Sequence, residues 1–205
     1  MEIIKGSAKK PVSTERLIEI FERQFSNEQG VLYVGYPVLS TPEDAVSVDA
    51  LMISKRHGVV AFHLVEGKEA GPFGEIQDDI GSLLETKLKP YKTLRKGRTL
   101  LASPTTITYA PLINSTRDDE DHILVNDSNI VSEVNGIEWG YPDLYEAVLS
   151  VIQSISTIRR NRRRRTNNRS NSHGAALQVL EDSIANLDSR QSKACLLYTS
   201  PSPRD

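Results

Sequence analysis

The stretch Val59–Val65, VVAFHLV, does most to limit what this chain can fold into. A run this apolar has no side to turn to solvent, so as a strand it must be covered on both faces. It predicts a central strand. The turn before it, Lys55–Gly58, places a glycine where positive φ is tolerated. A second β-type run, Val46–Ser54, precedes that turn. Behind the central strand, Ile76, Ile80, Leu83, Leu84 and Leu88 fall at offsets 0, 4, 7, 8 and 12, one face of a helix. Pro90 ends it. A covered strand followed by an amphipathic helix points to a sheet with helices packed against it.

The neighbouring segments fit that frame. Thr14–Phe25 predicts a helix with Leu17, Ile20, Phe21 and Gln24 on one face, capped by Ser13 or Thr14, with Glu15 at its positive end. Val31–Val38, Leu100–Tyr109 and Ile123–Val125 are strand-like. Ile130–Val134 fits a strand or a helical turn. Asn114–Asp121 is an acidic loop, and Asp143–Ile158 is a third helix with Leu144, Val148, Val151, Ile152, Ile155 and Ile158 inward. The order helix, three strands, helix, strands, helix predicts an α/β or α+β sandwich with a small mixed sheet. Trp139 is expected to be a packing anchor before the third helix.

At 205 residues, 38% hydrophobic and 25% charged, the chain is sized for one globular domain and a linker. No run reaches the roughly 18 apolar residues of a membrane span. The start, MEIIKGSAKKPV, lacks the apolar core of a secretory signal. A cytoplasmic location without membrane partners is the expectation. The net charge of −2 hides an asymmetry, because Arg159, Arg160, Arg162, Arg163, Arg164, Arg165 and Arg169 crowd into one segment without an acid. Removing those seven leaves −2 − 7 = −9 for the rest. Such a segment builds no core. It can lie along nucleic-acid phosphates or act as a solvated linker, and it carries no aromatic residue to stack bases.

In Gly174–Ala194, Leu177, Leu180, Ile184 and Leu187 make an apolar stripe spaced 3, 4 and 3. The pattern L-D-x-x-Q-x-x-A follows, and it resembles the Q-motif of UvrD-like superfamily 1 helicases. The resemblance implies that Gln191 meets the adenine of ATP, since a primary amide offers an acceptor and a donor side by side. It also implies a parent that uses ATP and Mg²⁺ and acts on nucleic acid, DNA or RNA, with DNA ranked first. The motor domain of that parent would lie beyond Ala194. The last eleven residues, CLLYTSPSPRD, translate back to a transposase adapter used in DNA sequencing. They are expected to be foreign, which removes Cys195 as a thiol to argue from.

The order of elements before the arginines resembles the restriction-endonuclease-like core in its nuclease-related form, which is found attached to helicases. That family holds Mg²⁺ between an Asp and an acid-x-Lys motif on the next strand. The resemblance places the metal-binding Asp at Asp49 and offers Glu66 and Lys68 as the acid and the lysine. The motif positions inside the strand itself hold His63 and Val65. The expectation is a degenerate nuclease-related domain over 1–158, a basic linker over 159–173, the start of a helicase motor over 174–194, and a foreign tail over 195–205. A fragment of this kind would bind no cofactor tightly and would not hydrolyse ATP. An active Mg²⁺-dependent nuclease using Asp49, Glu66 and Lys68, or a non-enzymatic binding module, are the alternatives.

Overall fold

The computed structural model describes residues 1–6, 8–35, 48–113 and 121–155, all within one compact unit, Met1–Thr157. Gln191, the arginines of 159–169 and the helix expected over 174–187 lie outside the described residues. Strand β1 (Glu2–Lys5) leads through helix α1 (Pro11–Gln24) to β2 (Gly30–Val34). Strands β3 (Ala50–Ser54) and β4 (Gly58–Leu64) form a hairpin, and α2 (Phe73–Leu88) follows. A short hairpin, β5 (Arg95–Lys96) and β6 (Thr99–Leu100), precedes β7 (Thr105–Tyr109) and β8 (Ile123–Val125). Helix α3 (Ile130–Gly136) and a 3-10 turn, Pro142–Leu144, come next. Residues 145–155 are the described part of the last helix, α4.

One six-stranded mixed sheet has the order β1-β2-β3-β4-β7-β8, while β5 and β6 pair separately. Only β3 runs against the others. Strand β4 is central and buried along its whole length, as an apolar run requires. Period-2 alternation splits the core into two layers. Leu32, Met52, Val60, Phe62 and Ile107 pack with Leu17 and Phe21 of α1 and with Ile130 and Val134 of α3. Val31, Leu51, Ile53, Val59 and Ala61 pack on the opposite face with Ile80 and Leu84 of α2 and with Val148 and Ile152 of α4. The chain is thus α/β, a mixed sheet flanked by helices.

Several elements depart from the sequence reading. Strand β1 was not foreseen: only four residues long, it pairs parallel with β2. Helix α1 starts at Pro11, three residues early, because proline has its φ preset and lacks a donor that the first turn could not use. Ser13 and Thr14 are therefore buried inside the first turn and are not its caps. The expected Leu100–Tyr109 strand splits into β6 and β7 around Ser103-Pro104, where proline offers no ladder N–H. Strand β2 stops at Val34, before Gly35 at φ 61. Residues 36–47 and 114–120 lie outside the described residues, with the Ser40–Glu43 loop and most of the acidic loop. Ile130–Val134 is helical.

Because only β3 is reversed, the carboxyl ends of the other five strands share one edge of the sheet with the start of β3. The opposite edge carries the β3–β4 turn. There Gly58 has φ +72, and a Cβ on it would lie 2.8 Å from Trp139 Cγ. Trp139 donates its backbone N–H to the Arg56 carbonyl and its indole N–H to the Leu101 carbonyl, each at 2.9 Å. The tryptophan thus anchors the turn and the β6 exit together.

Candidate functional site

Asp49 stands at the carboxyl edge, one residue before β3. The last rung of the β3–β4 ladder is Ala50 opposite Phe62, so the next rung sets Asp49 beside His63. The Asp49 carboxylate takes the place of a ladder carbonyl. Its Oδ2 accepts the Leu64 N–H at 2.8 Å. The same oxygen accepts from Lys10 Nζ, also at 2.8 Å. Lys10 reaches it from the turn entering α1, and the Asp49 side chain is only 9% exposed. A carboxylate so far out of water needs a partner of this kind.

Glu66 lies just past β4 at the same edge but serves a different structure. Its Oε1 accepts the Val12 N–H at 2.6 Å and the Ser13 N–H at 3.3 Å. Ser13 Oγ donates to the Val65 carbonyl at 2.8 Å. These N–H groups belong to the first turn of α1, which Lys10 leaves without a side-chain cap. Glu66 is therefore the cap, supplied from a distant part of the chain, and its charge suits the positive helix end. Lys68 is exposed and makes neither a hydrogen bond nor an ion pair among the described residues. The structure brings Asp49 and Glu66 to one edge and joins Asp49 to Lys10; it does not join either acid to Lys68.

His63 is 9% exposed, on the face that carries α2. Its Nδ1 lies 3.4 Å from Thr108 Oγ1. Gln77, on α2, donates Nε2 to Thr108 Oγ1 and to the Ile123 carbonyl, both at 2.8 Å, and accepts the Ile123 N–H at 3.2 Å. One side-chain amide thereby serves both backbone groups at the start of β8. A threonine hydroxyl that accepts from Gln77 still has its proton to give, and donating it to Nδ1 assigns the ring proton of neutral His63 to Nε2. Burial, helped by the Lys10 charge and opposed by Asp49, holds the His63 pKa down to about 4. The ring is neutral at pH 7.

This donor set does not fit Mg²⁺. The ion takes near-octahedral oxygen ligands and binds through carboxylates. Here one Asp49 oxygen is held by an ammonium and an amide, the neighbouring position is an imidazole, and Val65 offers nothing. Glu66 Oε1 is bonded to the first turn of α1. Among the described residues no three His, Cys, Asp or Glu side chains are grouped to hold a metal.

A second polar chain ends the same edge. Tyr109 donates its hydroxyl to Asp127 Oδ1, and Arg16 Nη1 donates to Asp127 Oδ2 at 3.2 Å. Burial, then the bond to and charge of Asp127, raises the Tyr109 pKa. Arg16, Glu19, Ile20, Arg23 and Asp127 line a groove of about 400 Å³.

Two residues that organise the site escaped the sequence reading. Gln77 had a signal, since Gln77, Ile80, Leu84 and Leu88 are all buried on one stripe and a polar member of such a stripe needs an internal partner. Lys10 had none, because its partner lies 39 residues away. No described helix is long and apolar enough to cross a membrane. Compared with protein-family models, with curated proteins and with solved structures, the chain finds no match in any of the three.

Proposed function

We propose that the domain is the nucleic-acid-associated N-terminal region of a larger cytoplasmic, ATP-dependent superfamily 1 helicase, built on a restriction-endonuclease-like sheet that lacks nuclease activity. The observation that carries the loss of nuclease activity is Lys10 Nζ at 2.8 Å from Asp49 Oδ2. An internal ammonium holds the carboxylate that the family resemblance assigns to the metal. The helicase part of the reading rests on the Q-motif resemblance at Gln191 and on the arginines of 159–169. In the parent, Gln191 meets adenine and Mg²⁺ sits at the ATP phosphates, in a motor domain that follows Ala194.

Two experiments test this. The chain is incubated with supercoiled plasmid DNA, and separately with RNA, in Mg²⁺ and in Mn²⁺. The expected result is no cleavage above a blank; cleavage that disappears in Asp49→Ala would restore the nuclease. Sequencing the source gene across the codon for Ala194 tests the parent. The helicase reading requires the frame to continue into a G-x-x-x-x-G-K-[ST] loop, and a frame that truly encodes CLLYTSPSPRD sinks it.

A further inference from the structure

A second basic segment lies within the described domain. Between Glu85 and Asp118 the chain holds no carboxylate, and Lys87, Lys89, Lys92, Arg95, Lys96 and Arg98 fall within 87–98. Setting these six aside as well as the seven later arginines leaves −9 − 6 = −15 for the remainder. Charge in this protein is therefore segregated, and a concentrated cationic surface on an acidic body attracts polyanions.

The fold gives the segment a fixed shape. Helix α2 runs from the carboxyl edge of the sheet to the opposite edge, where the segment begins. Leu94 is buried in the core and its carbonyl accepts the Leu101 N–H at 2.8 Å, which closes the base of the β5–β6 hairpin. Gly97, at φ 65, makes the turn. Lys92, Lys96 and Arg98 are exposed. Arg95 is half-buried, and its Nε is enclosed without a hydrogen-bond acceptor among the described residues. Trp139 bonds to the Leu101 carbonyl and to the Arg56 carbonyl, so exposed Arg56 joins the same edge. Two residues on, Tyr141 is 46% exposed, an aromatic face on the chain that leaves Trp139. Among the described residues, Lys89 is the one cation of 87–98 with a carboxylate partner, Glu85.

We propose that this edge, centred on Lys92, Arg95, Lys96 and Arg98, is a phosphodiester-binding surface that holds the backbone of a nucleic acid independently of the arginines at 159–169. It rests on the reading above only in taking nucleic acid as the ligand. Exposed cations on a short hairpin can pair with phosphates, and 87–98 holds no Asn or Gln to read an adenine edge. Binding is accordingly led by phosphate contacts and depends steeply on salt.

The test uses the full chain. Lys92→Ala, Lys96→Ala and Arg98→Ala are combined, with Lys96→Glu as a separate single variant in case the triple fails to fold. Fluorescence anisotropy measures affinity for a labelled DNA duplex and a labelled single strand between about 50 and 300 mM salt, a range over which phosphate contacts dominate. The expected result is at least a tenfold weaker affinity for the triple at the low-salt end, and a log–log salt slope shallower by about 2 to 3 units. Lys96→Glu weakens binding in the same direction. If affinity and slope are unchanged while Arg162→Ala, Arg163→Ala, Arg164→Ala and Arg165→Ala together abolish binding, the hairpin proposal falls and the nucleic-acid role stands. If the unaltered chain binds neither nucleic acid, both fall. Competition by poly-glutamate as effective as by nucleic acid of equal charge overturns the proposal in favour of an acidic protein partner.

Discussion

The Asp49 carboxylate ends the β3–β4 ladder through Leu64 and neutralises Lys10. Asp49→Ala strands a buried N–H and an ammonium that is 31% exposed, so it should cost about 2 to 4 kcal/mol in urea unfolding. Asp49→Asn, which keeps an acceptor for Leu64, should cost less than half as much. Equal losses would show that the charge, and not the ladder bond, is what matters. His63 sets a pH dependence beside it. Its unfolded pKa is near 6.5 and its folded pKa about 4, so between those values the unfolded chain takes up a proton that the folded chain refuses. Stability supplied by the neutral ring is complete above pH 6.5 and is lost as pH falls toward 4. The loss amounts to about 3 kcal/mol across that window. Subtracting the profile of His63→Gln from that of the unaltered chain isolates it, and a flat difference would refute the assignment.

At the scale of elements, helix α1 depends on a residue outside itself. Removing the Glu66 carboxylate leaves two first-turn N–H groups without their acceptor, so Glu66→Ala should destabilise the domain by about 0.5 to 2 kcal/mol. Glu66→Gln keeps the acceptor and loses only the interaction with the helix dipole, about 0.3 to 1 kcal/mol. Lys68→Ala should fall within about 0.5 kcal/mol of the unaltered chain. A large Lys68 effect on stability would mean that the lysine has a partner after all. The contrast also marks what sequence could tell. The central strand was legible from its unbroken apolar run, and α2 from its helical period. The start of α1 was not, since its cap comes from residue 66, and β1 was not, since four residues are too short for a period and gain their place only by pairing with β2. The break between β6 and β7 has its local signal in Pro104, which lacks the N–H a ladder needs. At the site, Asp49 and Glu66 were found as residue types; their partners, Lys10 and the first turn of α1, lie too far along the chain for any spacing rule.

At the scale of the whole molecule, the chain separates stability from charge. Every core residue among the described residues lies within Met1–Thr157, and the arginines at 159–169 bring no apolar side chain. A chain ending at Thr157 should therefore unfold at the same urea midpoint as the full chain, to within about 0.5 kcal/mol. Its nucleic-acid affinity should behave differently. Loss of seven arginines removes up to seven phosphate contacts, and the salt slope should flatten by up to about 0.9 for each contact on a duplex. Binding should not vanish, because Lys92, Lys96 and Arg98 remain exposed on a hairpin whose base is fixed in the core. A truncated chain that stays folded and keeps a shallow but finite salt slope divides binding between two independent cationic surfaces. A truncated chain that unfolds earlier would instead show that residues past Thr157 bury part of the domain, and the separation of stability from charge would fail.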